Sequence, residues 1–499
     1  MSIIKEVSQK IHGGSQRNFV WMDVILLLLL MAYILAGIKL TPFHGDESTY
    51  ISMSEDYDRV VKDGKLKSVL FTPEENGKQY TRLSIGSILI FSIGFARDIA
   101  DIQGTGSRWL WGASWDENVA QGHLPDAWLL LVARLCSAIF GALSIGLFFL
   151  TALQLFSSRL IAWAATLLLA THGDILVNFR RAMQEGPKFF FLILTLYLAV
   201  CILKDLKTME MPRHRYALLG ISSGLTLAAK QDIAIMLVAI YLALAFLPLW
   251  KRCAIRDILE NTLYLGTATI LAYAIFIICM PIFWGWWENA FVLIGFAILL
   301  FQIPVWKIER TAKSLIWTGL LLITAMTMRS PGLWKQFPVP LTSMIKTRQM
   351  MLQIQGNNSD APLRTWKDRS SFLLRATVTS NVMYTEAASF NVPAFQEQIH
   401  TYETSFLSGR TGSPWLDGLI AILALAGAWV LLRQFNAESL LVWSLLTISA
   451  VLLLITITLP WQRYFLIMQI PYSLIAGVGV ASARTAARQF LQVSIVKNT

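Results

Sequence analysis

Long uninterrupted apolar runs limit what this chain can fold into more than any other feature. Residues 24–38 read VILLLLLMAYILAGI, and several other runs reach or approach the roughly 20 residues that a helix needs to cross a bilayer. The chain is 55% hydrophobic and 15% charged, whereas soluble proteins are about 25% charged. Membrane barrels are built instead from short segments of alternating polarity. The pattern therefore predicts an all-α polytopic membrane protein.

About twelve transmembrane helices are predicted, with the N-terminus in the cytoplasm. Lys5, Lys10 and Arg17 precede the first apolar run, and basic residues recur in each short loop assigned to the cytoplasmic side. The first run is too long for the core of a signal peptide, so we predict a retained helix. The predicted helices are 22–40, 126–155, 160–177, 187–203, 216–229, 232–250, 258–280, 289–305, 314–328, 415–433, 439–459 and 464–480.

The basic excess and the cysteines argue against two other kinds of site. The net charge is +11, but the basic residues fall mostly in short loops, where they orient the helices, and no nucleic-acid-binding motif is present. The four cysteines lie in or beside apolar runs without paired spacing. We predict packing roles for them, with neither a disulfide nor a zinc site.

Two external segments are too long to be simple connections. Residues 41–125 contain the apolar stretch LSIGSILIFSIGF, which is too short for a span and predicts a re-entrant or interface-lying helix. Residues 329–415 are polar and form a candidate acceptor region. We therefore divide the chain into a catalytic core (1–328), this second external segment, and the C-terminal helices with a cytoplasmic tail (416–499).

Asp46 and Glu47 directly follow the first predicted helix, in the stretch TPFHGDESTY. One interpretation is that they cap and stabilise the start of the next helix. The other is functional, because carboxylates at the membrane boundary can meet the phosphate-linked end of a lipid substrate. Adjacent helical side chains point about 100° apart, so one carboxylate can face a cavity while the other caps.

The stretch NFRRAMQEGPKFF, residues 178–190, is predicted to open the fourth helix on the external side. The helix dipole alone would explain Glu185, with the following Gly-Pro at the first turn. It does not explain Arg180 and Arg181, because basic residues are expected on the cytoplasmic side. Two guanidinium groups on the outer face indicate an anionic ligand such as phosphate.

Three further external turns also place cations close to the membrane. Lys78 and Arg82 lie four residues apart, so on a helix they would share one face, either as interface anchors or as a second phosphate clamp. Lys230 lies in a predicted external hairpin, and Arg463 opens the last helix. Boundary charges of this kind indicate a functional site. Together they predict one external cavity for an anionic lipid-phosphate substrate.

These motifs, in this order, resemble the GT-C glycosyltransferases of the protein O-mannosyltransferase and lipid A aminoarabinose transferase type. The similar elements are GDESTY, NGKQY, ARLCSAIF, RRAMQEGP, GLTLAAKQD and QRYFLIMQIPY. The resemblance covers residues 20–250 well and the last helix weakly. Two departures are visible: Gln79-Tyr80 replaces the usual Pro-Pro, and Glu185 stands where Asp is common.

The resemblance implies transfer of a sugar from a polyprenyl-phosphate donor to an acceptor hydroxyl, with inversion, on the extracytoplasmic face. Asp46 would be the general base, and Glu47 or Glu185 would orient sugar hydroxyls or hold arginines. The leaving group is already an anion, so cations must stabilise it. The candidate substrate-binding residues are Lys78, Arg82, Arg180, Arg181, Lys230 and Arg463. No metal and no cofactor are expected.

The acceptor stays open at this point: a protein, a glycolipid or a glycan would each supply a hydroxyl. By analogy with the family, we expect a bacterial inner membrane protein whose partners are membrane lipids and no nucleic acid. The alternative is a transporter or flippase for a lipid-linked saccharide, although no internal repeat is visible. An oligosaccharyltransferase is disfavoured because its Trp-Trp-Asp signature is absent. The stretch WGWWEN, 284–289, has the tryptophans but lies too far upstream of any plausible acceptor domain.

Overall fold

The computed structural model describes residues 15–72, 81–208, 210–302, 339–358, 362–384 and 392–498. Its regular structure in these ranges is helical. The helices of eight residues or more are α1 Ser15–Ala36, α2 Gly45–Met53, α3 Ser87–Ile99, α4 Ala127–Phe156, α5 Arg159–Ala170, α6 Gly173–Arg180, α7 Glu185–Thr208, α8 Arg213–Ala229, α9 Ala234–Trp250, α10 Ile255–Cys279, α11 Trp287–Gln302, α12 Val339–Asn358, α13 Trp366–Val378, α14 Pro393–Glu403, α15 Pro414–Arg433, α16 Ala437–Thr456 and α17 Gln469–Asn498.

Eight helices in the described ranges are long and apolar enough to cross a membrane, and nine if the bent pair α5–α6 forms one span. The all-α polytopic fold is therefore confirmed. The count of twelve stays a prediction, since the helix expected at 314–328 lies outside the described residues. Two other predicted spans are short, with 17 residues in α8 and an apolar stretch of Ala290–Phe301 in α11.

Small residues let the helices approach closely. Gly220 and Gly224 lie one turn apart on α8, and a Cβ on either would come within 2.6 Å of a backbone oxygen of α10, that of Ala268 or of Ala272. Helices in membranes associate through such small faces, because lipid provides no hydrophobic drive between apolar surfaces. The same arrangement brings α15 against α17.

The two long segments predicted to be external, 41–125 and 329–415, contribute further helices. The apolar stretch of the first segment forms α3, which has 13 residues and packs Leu89 and Ile93 into a cluster with residues of α2 and α4. The second segment contributes α12, α13 and α14. The span α5–α6 bends by 64° next to His172, and the turn after it leads to α7. The start of α2 meets α14, where the Phe43 N–H donates to Gln398 Oε1 at 3.2 Å, and the turn before α7, where the Ala182 N–H donates to Glu47.

Candidate functional site

The chain turns from the first apolar span into α2 within a few residues, and reciprocal hydrogen bonds fix that turn. The Asp46 N–H donates to His44 Nδ1 at 3.1 Å, and the His44 N–H donates to Glu47 Oε1 at 3.0 Å. This is a capping box, in which side chains satisfy backbone groups that the first helical turn leaves unpaired. The start of α2 is therefore held in place from both sides of Asp46.

Glu47 is fully buried and forms a bidentate ion pair with Arg134 of α4. Nε and Nη2 of Arg134 donate to the two carboxylate oxygens at 2.7 and 2.8 Å. Nη1 of Arg134 donates to the carbonyls of Ile38 and Thr41, and the Ala182 N–H donates to Glu47 Oε2 at 2.9 Å. Both oxygens of Glu47 are thus occupied, so its geometry favours positioning of α2 over the catalytic role expected from the sequence.

Asp46 pairs with Arg463, which lies in the short helical turn before α17. The Asp46 side chain is 20% exposed and that of Arg463 is 9% exposed. Burial, the largest influence, would by itself raise the pKa of Asp46. The charge and hydrogen bond of Arg463 and the charges of His44 and Lys230 together outweigh burial, and the pKa lies below its ordinary value. Two motifs 417 residues apart in the chain therefore form one ion pair, with the carboxylate ionised at neutral pH.

Glu185 and Lys230, both named from the sequence, also form an ion pair, and two further charges join them. Lys188 Nζ lies 3.2 Å from Asp232 Oδ2, and Lys230 Nζ lies 3.6 Å from the same oxygen. Lys230 also acts electrostatically on Asp46. One oxygen each of Glu185 and Asp232 is buried without a hydrogen-bond partner. The network therefore retains acceptors that a hydroxyl-bearing ligand can satisfy.

Three cations surround the ring of Tyr464. The distances to the ring centroid are 5.0 Å from Arg348 Cζ, 5.6 Å from Lys230 Nζ and 5.7 Å from Arg463 Cζ. Trp461 stacks on the same ring, with centroids 5.6 Å apart. The electron-rich face of an aromatic ring attracts cations. The buried Nη2 of Arg348 has no hydrogen-bond partner, so this cluster can still bind an anion.

The structure revises the interpretation of Arg180. Its side chain is fully buried, and Nε and Nη2 donate to the carbonyls of Ile34 and Tyr33 at 2.8 and 2.7 Å. Nη1 donates to the Tyr402 hydroxyl and to the Leu407 carbonyl. A guanidinium engaged by four protein oxygens is not placed to grip a substrate phosphate. Arg180 instead joins the end of α1 to the second external segment.

The other predicted cations have separate surroundings. Arg181 is buried and its Nε donates to the Pro42 carbonyl at 3.0 Å, close to the start of α2. Arg82 forms a bidentate pair with Asp56, with both contacts at 2.7 Å. That pair satisfies the charge of Arg82 locally and does not support a phosphate clamp there. Lys78 lies outside the described residues.

Several residues of this site were not identified from the sequence. They are Arg134, Lys188, Asp232, Arg348 and Tyr464. Arg134, Lys188, Asp232 and Tyr464 lie inside stretches that were singled out, and Lys188 is also a rare charge inside a predicted span. Arg348 gave no signal, because its segment is polar throughout. Among the described residues no group of three His, Cys, Asp or Glu side chains is arranged to hold a metal ion.

A family comparison matches residues 106–325 to the dolichyl-phosphate-mannose-protein mannosyltransferases. The match confirms the predicted resemblance to the GT-C glycosyltransferases. It covers less than half of this chain and includes Arg134, Arg180, Glu185 and Lys230. Comparison with curated protein sequences gives no match.

Three solved structures are similar to the chain. The oligosaccharyltransferase AglB of Archaeoglobus fulgidus, in complex with an inhibitory peptide and a dolichol-phosphate, is 13% identical, and the match covers 91% of this chain and 50% of that chain with a TM-score of 0.48. The S. cerevisiae protein O-mannosyltransferase Pmt1-Pmt2 complex bound to the sugar donor is 13% identical, and the match covers 53% of this chain and 34% of that chain with a TM-score of 0.35. ArnT of Cupriavidus metallidurans bound to undecaprenyl phosphate is 14% identical, and the match covers 92% of this chain and 78% of that chain with a TM-score of 0.32. The chain spans about half the length of AglB. None of these TM-scores reaches 0.5.

Proposed function

We propose that this protein transfers a sugar from a polyprenyl-phosphate donor to an acceptor hydroxyl, with inversion at the anomeric carbon. The observation that carries the proposal is the partly exposed Asp46–Arg463 ion pair, which lies beside the cations around Tyr464. A base next to an anion site is what such a transfer needs. The family match over residues 106–325 supports the same reaction class.

Asp46 acts as the general base. It takes the proton of the acceptor hydroxyl while that oxygen bonds to the anomeric carbon and the bond from that carbon to the phosphate oxygen breaks. With Arg463 against it, Asp46 is a weak base, because its pKa is held low. A donor phosphate that binds Arg463 draws the guanidinium charge away and raises the pKa of Asp46. Donor binding therefore prepares the base for the acceptor.

Arg463, Lys230 and Arg348 stabilise the lipid phosphate as it leaves. A phosphate monoester departs as an anion, so no general acid is required, and fixed cations lower the barrier as its charge develops. Arg348 has an unpaired buried Nη2 and lies against the same aromatic ring as the other two. It comes from α12, so the second external segment contributes directly to the donor site.

Glu185 holds Lys230 through one carboxylate oxygen and offers the other to a sugar hydroxyl. Glu47 positions α2 and touches no substrate. Asp46, Glu185 and Glu47 thus have three different roles, in agreement with their different surroundings. The reaction takes place at the membrane boundary on the external side, in a bacterial inner membrane, and the acceptor is a protein, a glycolipid or a glycan.

The test uses the purified protein in lipid vesicles with a polyprenyl-phosphate sugar and measures released polyprenyl phosphate. Asp46→Asn should fold and insert normally but release at least about 10²-fold less, the usual contribution of a general base. Asp63→Asn, at a carboxylate that is 45% exposed and lies 2.9 Å from Lys65 Nζ, is the matched control and should be fully active.

Full activity of Asp46→Asn would remove Asp46 from the mechanism. If the wild-type protein leaves the donor intact but moves it between leaflets, the function is that of a flippase and the transferase proposal is wrong.

A further inference from the structure

A second candidate site lies at the opposite ends of the spans that carry the charge network. Helix α7 has 24 residues, from Glu185 in that network to Thr208. At 1.5 Å per residue it is about 36 Å long, more than the roughly 30 Å thickness of the hydrocarbon core of a bilayer. Helices α9 and α15 also end on this far face, and α16 begins there. Anything bound here is separate from the proposed transfer site.

The helix ends on this far face enclose an open cavity of about 520 Å³. It is lined by Lys207, Trp250, Lys251, Phe435, Asn436 and Ala437. The two lysines come from the ends of different spans, so packing of α7 and α9 is what brings them to one cavity. A space of this size at the end of a helix bundle accommodates a headgroup and the first part of a chain.

The charged wall of the cavity is positive. Lys207 is 38% exposed and its ammonium pairs with Glu438, which is mostly buried and anchors the lysine at the rim. An ammonium has three N–H groups, so donors remain after one pairing. Lys251 is exposed. Two lysines against one glutamate leave the cavity with one positive charge in excess.

The other wall is aromatic. The rings of Trp250 and Phe435 meet edge to face, with centroids 5.6 Å apart and an angle of 88°. They are 37% and 44% exposed. Tryptophan and tyrosine side chains concentrate at the level of lipid headgroups, where one side is apolar and the other is wet. The cavity therefore combines cations with an apolar surface at the membrane boundary.

We propose that this cavity binds the phosphate of an anionic phospholipid from the leaflet opposite the transfer site. Lys207 and Lys251 contact the phosphate, and the start of the acyl chains lies along Trp250 and Phe435. Basic pockets between helix ends on the cytoplasmic side are known as sites for anionic headgroups. The lipid holds the ends of α7, α9 and α16 together, and this role does not depend on the proposed transfer reaction.

The test is native mass spectrometry of the purified full-length protein in a neutral detergent, with phosphatidylglycerol or phosphatidylcholine added. The wild type should retain phosphatidylglycerol in preference to phosphatidylcholine. The double variant Lys207→Gln/Lys251→Gln should lose about 30-fold in affinity, since each lysine near a charged lipid contributes about a fivefold factor. Because Lys207 also anchors Glu438, Lys251→Gln alone provides a second measurement, with about a fivefold loss expected.

The matched control is Lys65→Gln/Lys67→Gln, which removes two exposed lysines from the first external segment. It should retain wild-type affinity. Equal losses in both double variants would show unspecific charge attraction and overturn the proposal. Equal retention of the two lipids would overturn it as well, and so would displacement of the lipid by inorganic phosphate at equimolar concentration.

Discussion

Removal of Arg134 should destabilise the protein far more than removal of an exposed arginine. Arg134→Gln would take away the bidentate partner of Glu47, whose side chain has no exposed surface. The carboxylate would keep only the N–H groups of His44 and Ala182. The carbonyls of Ile38 and Thr41 would lose their donor at the same time.

The expected cost is about 3–5 kcal/mol in free energy of unfolding, the usual penalty when one partner of a buried ion pair is removed. The control is Arg59→Gln, because Arg59 is 34% exposed and pairs with Glu55 one helical turn away. Exposed pairs of this type contribute less than about 1 kcal/mol. The contrast between the two arginines separates burial from charge removal as such.

The assay is unfolding in mixed micelles followed by tryptophan fluorescence, for Arg134→Gln, Glu47→Gln and the double variant. Each single variant leaves one buried charge without its partner, whereas the double variant leaves none. We expect the double variant to cost at least about 2 kcal/mol less than the sum of the two single variants. Additive costs, or an Arg134→Gln protein as stable as Arg59→Gln, would refute the assignment of this pair as the anchor of α2.

Three other results are expected. In Arg463→Gln the acid limb of the transfer rate should move to higher pH, since only His44 and Lys230 would then oppose the effect of burial, which raises the pKa of Asp46. In the wild type that pKa is lowered, so the ionised pair stabilises the fold above the unfolded pKa, and its contribution is lost only in strong acid. An unchanged pH profile would contradict the pairing. Arg348→Gln should raise the KM for the donor more than that for the acceptor, while Lys346→Gln, an exposed neighbour on α12, should change neither. Arg180→Gln should lower the yield of folded protein, because buried acceptors would be left without a donor. The KM for the donor, measured on the folded fraction, should change little.

The membrane fold was predictable because it depends on composition and run length, which the sequence displays directly. The location of Asp46 and Arg463 on one face was also predictable, since both stand out as charges at the ends of apolar runs. Each was assigned to the same face of the membrane through topology alone. Topology assigns residues to a side of the membrane, so it does not predict that these two side chains form an ion pair.

Arg180 and Arg181 show most clearly what cannot be predicted from the sequence. Arg180 and Arg181 have the same chemistry and neighbouring positions, so the sequence offers no reason to separate them. The structure separates them because α6 ends at Arg180 and the chain becomes extended at Arg181. The two side chains then leave in different directions, and Arg180 meets the carbonyls at the end of α1. Such partners, about 145 residues away, are fixed by packing and not by local pattern.

The hydrogen-bond partners of Arg180 are synthesised at different times. Two of its acceptors, the carbonyls of Tyr33 and Ile34, are made before it, whereas Tyr402 and Leu407 emerge from the ribosome more than 200 residues later. Until they arrive, the growing chain carries a guanidinium in its interior with half of its oxygens missing. The surroundings of Arg180 are therefore completed only when the second external segment is made, and a fragment that ends before residue 400 would leave Nη1 without these two acceptors.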